Sequence, residues 1–229
     1  MENNQEMTNQ QENSSLNNTS VDGCKEFTPL ERYKTLIAAR NFHYDNFNKW
    51  LSYFYIAIGT LFIGFCTLKT SDKSSLFELE IIMILILGYI ISLLWFLSCK
   101  GYYFWNINFI TLVNNCEKDL KPDPKERVYF VFANKKRQNN YFNPISGANI
   151  STSKVAILFS FIITISWGIL LLKEFMKFID DRCLSIVLHI LGVILIPIIT
   201  LSLSYISQLF LQSKIDHFPD LKLQQTKED

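Results

Sequence analysis

Four apolar runs free of Asp, Glu, Lys and Arg constrain this chain more than any other feature: Leu51–Leu68, Ile81–Cys99, Val155–Leu172 and Leu184–Leu211. A bilayer-spanning helix needs roughly 17–25 apolar residues, and each run supplies at least that length. A soluble helix or half-buried strand would alternate polar with apolar positions, which these runs do not. The expected fold class is therefore all-α, a polytopic membrane protein with four transmembrane helices. The mean hydropathy of +0.15 is low for such a protein only because a polar tail offsets the spans.

Charge placement suggests orientation. Of 22 Lys and Arg residues, seventeen fall before the first span, between the second and third, or after the fourth; the two short loops hold five. Cationic flanks are retained on the cytoplasmic side, so both termini and the middle segment are expected there, in a bacterial inner membrane. The Asn-, Ile- and Lys-rich character fits an AT-rich bacterial genome. The first 25 residues lack the basic start and apolar stretch of a signal peptide, so the first span is expected to direct its own insertion.

The chain divides into a disordered tail (1–27), a unit of two spans with their flanking helices (28–120), a cytoplasmic loop subdomain (121–150), the third and fourth spans (151–213) and a polar tail (214–229). The tail at 1–27 has too little apolar surface to offset ordering. Thr28-Pro29-Leu30-Glu31 reads as a capping box with proline at the first helical position. Tyr33, Leu36, Ile37, Arg40, Tyr44 and Phe47 then repeat with helical spacing and lead into the first span. After the second span, Ile107, Ile110 and Val113 keep that spacing against Asn108, Asn115 and Lys118. The two extensions are expected to form an antiparallel pair in the cytoplasm. Asp123-Pro124-Lys125-Glu126 suggests a second capping box and a helix over 124–137; strands at Arg127–Ala133 and Tyr141–Ile145 are the rival reading. Ser151 or Ser153 is expected to cap the third span. Pro197 lies mid-way along the fourth run, where proline removes a helix hydrogen bond and commonly kinks the axis.

The third span carries Ala156, Ser160, Thr164 and Gly168 at i, i+4 spacing. Gly88 and Ser92, Thr60 and Gly64, and Thr200, Ser204 and Ser207 add small or hydroxyl residues to the other spans. Such stripes let helices approach closely in lipid; the sharper reading makes Ser160, Thr164, Thr200, Ser204 and Ser207 the lining of a polar path shared between subunits. His189, the one histidine within a run, is a further candidate for that lining, because an intramembrane ionisable group is a functional suspect; an interfacial packing role is the alternative. No carboxylate lies in any run, which argues against proton-coupled transport, and His189 has no companions for a metal. Arg40, Lys49, Lys135, Lys136 and Arg137 are basic residues at the expected cytoplasmic surface, suited to anionic lipid or to an anionic regulator such as a nucleotide or nucleic acid. No P-loop, GxSxG or paired-carboxylate pattern is present, so no enzymatic activity, catalytic residue, metal or cofactor is expected. Five cysteines, without CxxC spacing, point away from zinc. Cys66 and Cys183 fall near the outer span ends, either as a disulfide or, the favoured reading, as two buried thiols.

The order Glu31-Arg32-Tyr33, Ala39-Arg40-Asn41, two spans, then Trp105-Asn106-Ile107-Asn108 leading to Glu117 and Leu120 resembles the RipA-type small bacterial membrane proteins and the SLATT-type effectors of phage defence. The resemblance covers residues 31–120; the second pair of spans departs from the shorter members. It implies a homo-oligomeric inner-membrane effector that opens a pore on a cytoplasmic signal. A membrane-anchored scaffold that docks a protein partner is the rival reading.

Overall fold

A computed structural model describes residues 28–72, 76–128, 148, 150–179 and 182–213. Four long helices account for nearly all of them: α1 (Pro29–Thr70), α2 (Glu78–Leu120), α3 (Thr152–Phe175) and α4 (Arg182–Leu211), with single 3-10 turns at Pro124–Glu126 and Met176–Phe178. Each of the four contains a stretch long and apolar enough to cross a membrane. No strand occurs among the described residues.

Helix ends follow local chemistry. The Thr28 hydroxyl accepts the Glu31 amide at 3.2 Å, and the Glu31 carboxylate accepts the Thr28 amide at 2.9 Å. This reciprocal pair fixes the start of α1 with Pro29 in its first turn. Ser151 caps α3 through the Lys154 amide. The turn at Pro124 opens as expected, with the Asp123 carboxylate accepting the Lys125 amide at 2.9 Å, but it ends after Glu126. The helix expected over 124–137 is not continued because Arg127 is extended. Its guanidinium donates back to the Lys121 and Pro122 carbonyls, and the next amide, Val128, is taken by Glu117. The remainder of that segment, with the rival hairpin, lies outside the described residues. Pro197 sits inside α4 without interrupting it.

α1 and α2 have 42 and 43 residues. At 1.5 Å per residue each is about 63–65 Å long, roughly twice the hydrocarbon thickness. The excess lies at one end of the pair, where Pro29–Trp50 of α1 runs antiparallel to Lys100–Leu120 of α2 and forms a two-helix stalk. Tyr33, Leu36, Ile37, Arg40, His43 and Phe47 turn inward there, whereas Tyr44, expected in this stripe, is exposed. His43 takes its place because the 3-and-4 spacing that begins at Tyr33 continues through it.

α2 is the central helix, packed against α1 on one side and α3 on the other, while α4 lies against α3 with a lighter contact. Leu85, Ile81, Phe65 and Trp167 form a buried cluster toward the loop end of the spans. Glycine sets the approach of α2 and α3: a Cβ at Gly88 would stand 2.3–2.6 Å from three ring atoms of Trp167. At the loop end, Glu174 receives Lys69 at 2.6 Å and also pairs with Lys177. This joins the end of α1 to the end of α3. Burial works against the Glu174 charge, but the hydrogen bonds from Lys177 and Lys69 outweigh it and hold its carboxyl below the usual range. No disulfide links Cys66 and Cys183; Cys66 is half-buried, and Cys183 is exposed rather than buried as expected.

Candidate functional site

The hydroxyl stripe of α3 faces inward. Ser160 and Thr164 are fully buried, as are Ser92 on α2 and Thr200 on α4, and Ser204 is nearly so. In the apolar interior of a membrane protein each hydroxyl needs a partner. The first four find one a turn back on their own helix: Ser92 to Gly88, Ser160 to Ala156, Thr164 to Ser160 and Thr200 to Ile196, at 2.7–2.9 Å. Ser207, half-buried, donates to the Ser204 carbonyl. Within one protomer these groups are therefore satisfied packing elements. Thr60 of α1, read as part of the same small-residue set, is exposed.

Two polar contacts cross from α2 to α4. The Tyr89 phenol and the Thr200 hydroxyl lie 3.0 Å apart, and the Lys100 ammonium donates to Ser204 at 2.7 Å. Gly168 of α3 lets this junction close, since a Cβ there would meet Ile196 at 2.7 Å and Tyr89 at 3.3 Å. The seam combines a span-embedded hydroxyl pair with a cation at the stalk end of the second apolar run. His189, near the other end of α4, is half-buried and apart from the seam.

The stalk holds a second polar group. Glu117 is 2% exposed. Its carboxylate accepts the Tyr33 phenol at 3.1 Å and the Val128 amide at 2.7 Å. One side chain of α2 thus ties the beginning of α1 to the peptide that leaves α2. Higher in the stalk, Tyr102 stacks on Phe47 at 3.6 Å and on His43 at 5.0 Å, and Phe109 closes on His43 at 5.2 Å. Burial among these rings pushes the His43 imidazole below its ordinary pKa, offset in part by the Tyr102 backbone, so the ring is neutral near pH 7.

The model of the octameric membrane protein family (8xMP) matches residues 30–176, which take in α1, α2, α3 and both halves of the stalk. The chain belongs to this family. No curated protein and no solved structure matches it. In this 8xMP protein, Arg40 is half-buried in the stalk and Lys49 is exposed where the first apolar run begins. Lys135, Lys136 and Arg137 lie outside the described residues. No cluster of three or more potential metal-ligating side chains occurs among the described residues.

Sequence reasoning overlooked Tyr89, Lys100 and the burial of Glu117. Glu117 was legible in part: it falls on the same helical face as Val113 and Leu120. Tyr89 and Lys100 gave no signal, because their partners are more than a hundred residues away.

Proposed function

We propose that this protein is a homo-octameric inner-membrane effector of the pore type, with stalks and termini on the cytoplasmic side. The observation that carries the reading is the continuity of α1 and α2 from stalk into span. A ligand or partner that moves the stalk acts on two of the four spans through unbroken helices. The family description supports an assembly of eight copies, which we take as a closed ring; the distribution of Lys and Arg supports the orientation. The resemblance of residues 31–120 to RipA-type and SLATT-type proteins supports a role in phage defence, with a nucleotide, nucleic acid or protein as the cytoplasmic signal. No enzymatic step is proposed. A conducting path in such a ring runs between protomers, and Thr200 and Ser204 contribute to it when α4 turns away from Tyr89 and Lys100.

The complete closure of the hydroxyls inside one protomer favours a second reading, a membrane scaffold whose stalk docks a partner. Ion flux through liposomes containing the purified assembly separates the two. Flux that rises on addition of a cytoplasmic signal, and that changes in Thr200→Val and Ser204→Ala, supports the pore. Persistent silence of the intact octamer with its signal present leaves the scaffold.

A further inference from the structure

A groove of about 720 Å³ opens between α2 and α4 where the second apolar run meets the stalk. Its inner wall is hydrocarbon, formed by Phe54, Leu94 and Leu97. Toward the stalk it carries Lys100, Ser204, Ser207 and Gln208 beside the aromatic Phe104 and Trp105. Among the described residues that line it, Lys100 is the only charged one. The floor includes Gly101, whose absent side chain has nothing within 4 Å. A glycine inside a helix costs about 0.5–1 kcal/mol relative to alanine, and no neighbouring element among the described residues requires this one. Its effect is to leave the groove open.

We infer that this groove binds one anionic glycerophospholipid, with an acyl chain along Phe54, Leu94 and Leu97 and the phosphate at Lys100. Lys100 is the first charged residue after the apolar run, so the cation sits at headgroup depth while the wall beneath it sits among the chains. The ammonium gives one of its three protons to Ser204 at 2.7 Å, and its remaining protons beside the Gln208 amide, with no carboxylate among the described lining residues, suit a phosphodiester. Serine hydroxyls alone would accept water equally well; the cation and the hydrocarbon wall together select an amphiphilic anion. The inference rests on the four spans and not on the pore reading.

Trp105 also lines the groove and serves as its reporter. Brominated phosphatidylglycerol or brominated phosphatidylcholine is titrated into the full-length protein in detergent micelles while tryptophan emission is recorded. The glycerol lipid should give a saturable quenching that the choline lipid lacks and that Trp105→Phe removes. Lys100→Gln should weaken it about tenfold or more, the loss expected from a charge-assisted contact, and Gly101→Leu should abolish it by filling the floor. Inorganic phosphate should leave the quenching in place. Circular dichroism verifies the fold; should Gly101→Leu misfold, Lys100→Gln decides alone. Equal saturable quenching by both lipids, or wild-type affinity in Lys100→Gln, overturns the inference. Displacement of the lipid by free phosphate overturns it in favour of a headgroup-only site. Loss of the octamer in Gly101→Leu with quenching intact overturns it in favour of a second copy of the chain.

Discussion

Gly88→Ala should destabilise the bundle although alanine is the better helix former. The new methyl would stand 2.3, 2.5 and 2.6 Å from three atoms of the Trp167 ring. Carbon atoms pack best at about 3.5–4.0 Å, so ring or helix must retreat by roughly 1 Å. The ring has little room, because Trp167 is 3% exposed within the cluster of Phe65, Ile81 and Leu85. Overpacking of a filled interior costs about 1–3 kcal/mol. The change from glycine to alanine returns about 0.5–1 kcal/mol, which leaves a net loss on the order of 1–2 kcal/mol. Gly59 is the internal control: it lies in the first apolar run with nothing within 4 Å of its Cβ position, and Gly59→Ala should be neutral or mildly stabilising. Unfolding in a mixed-micelle denaturant titration measures both. Trp167→Leu in the Gly88→Ala background should show favourable coupling, because the colliding atoms are gone. Equal stability of the two alanine variants would refute close approach of α2 and α3 at this point.

Two further outcomes follow from the polar anchors. Glu117→Ala removes the acceptor for both Tyr33 and Val128, at about 1.5–3 kcal/mol for hydrogen bonds to a charged group. Amide exchange should accelerate in residues 29–40 and 121–128 while the spans stay protected, and Tyr33→Phe should reproduce only the first part; unchanged exchange in both windows would exclude the anchor. At the loop end, the Glu174 carboxyl is held below its ordinary value. Its contribution is therefore complete above the unfolded carboxylate pKa, about 4.3, and is lost as pH falls through the lower folded value. Stability of the wild type should drop in that acid window, whereas Glu174→Gln should show a shallower drop, and Lys69→Met, which raises the folded value toward the unfolded one, should make the drop smaller and end it at higher pH.

The spans were legible because lipid leaves little choice. Uncharged runs of sufficient length have one low-energy arrangement in hydrocarbon, with every backbone group satisfied inside its own helix. Caps were legible for a related reason: Thr28 and Ser151 act on residues three positions away. The stripe of α1 was misread at one position, since Tyr44 looked more apolar than His43 and only the partner helix reveals which of them meets Tyr102. Among the described residues the turn that Asp123 opens ends at Glu126, where Arg127 is extended and the Glu117 carboxylate takes the Val128 amide. The hydroxyls of α3 were recognised as a stripe, but spacing alone cannot distinguish a wall from an interior.

Local forces, acting over a few residues or set by the solvent, made the four crossings, the stalk and its caps readable from the amino acids alone. Which helix lies in the centre, that α4 is held through Tyr89 and Lys100, and that a groove opens beside Gly101 depend on contacts between residues about 80 to 110 positions apart. Such pairs carry no periodic signature; they exist only once the close approach of α2 and α3 at Gly88, and of α3 and α4 at Gly168, has set the distances between helices.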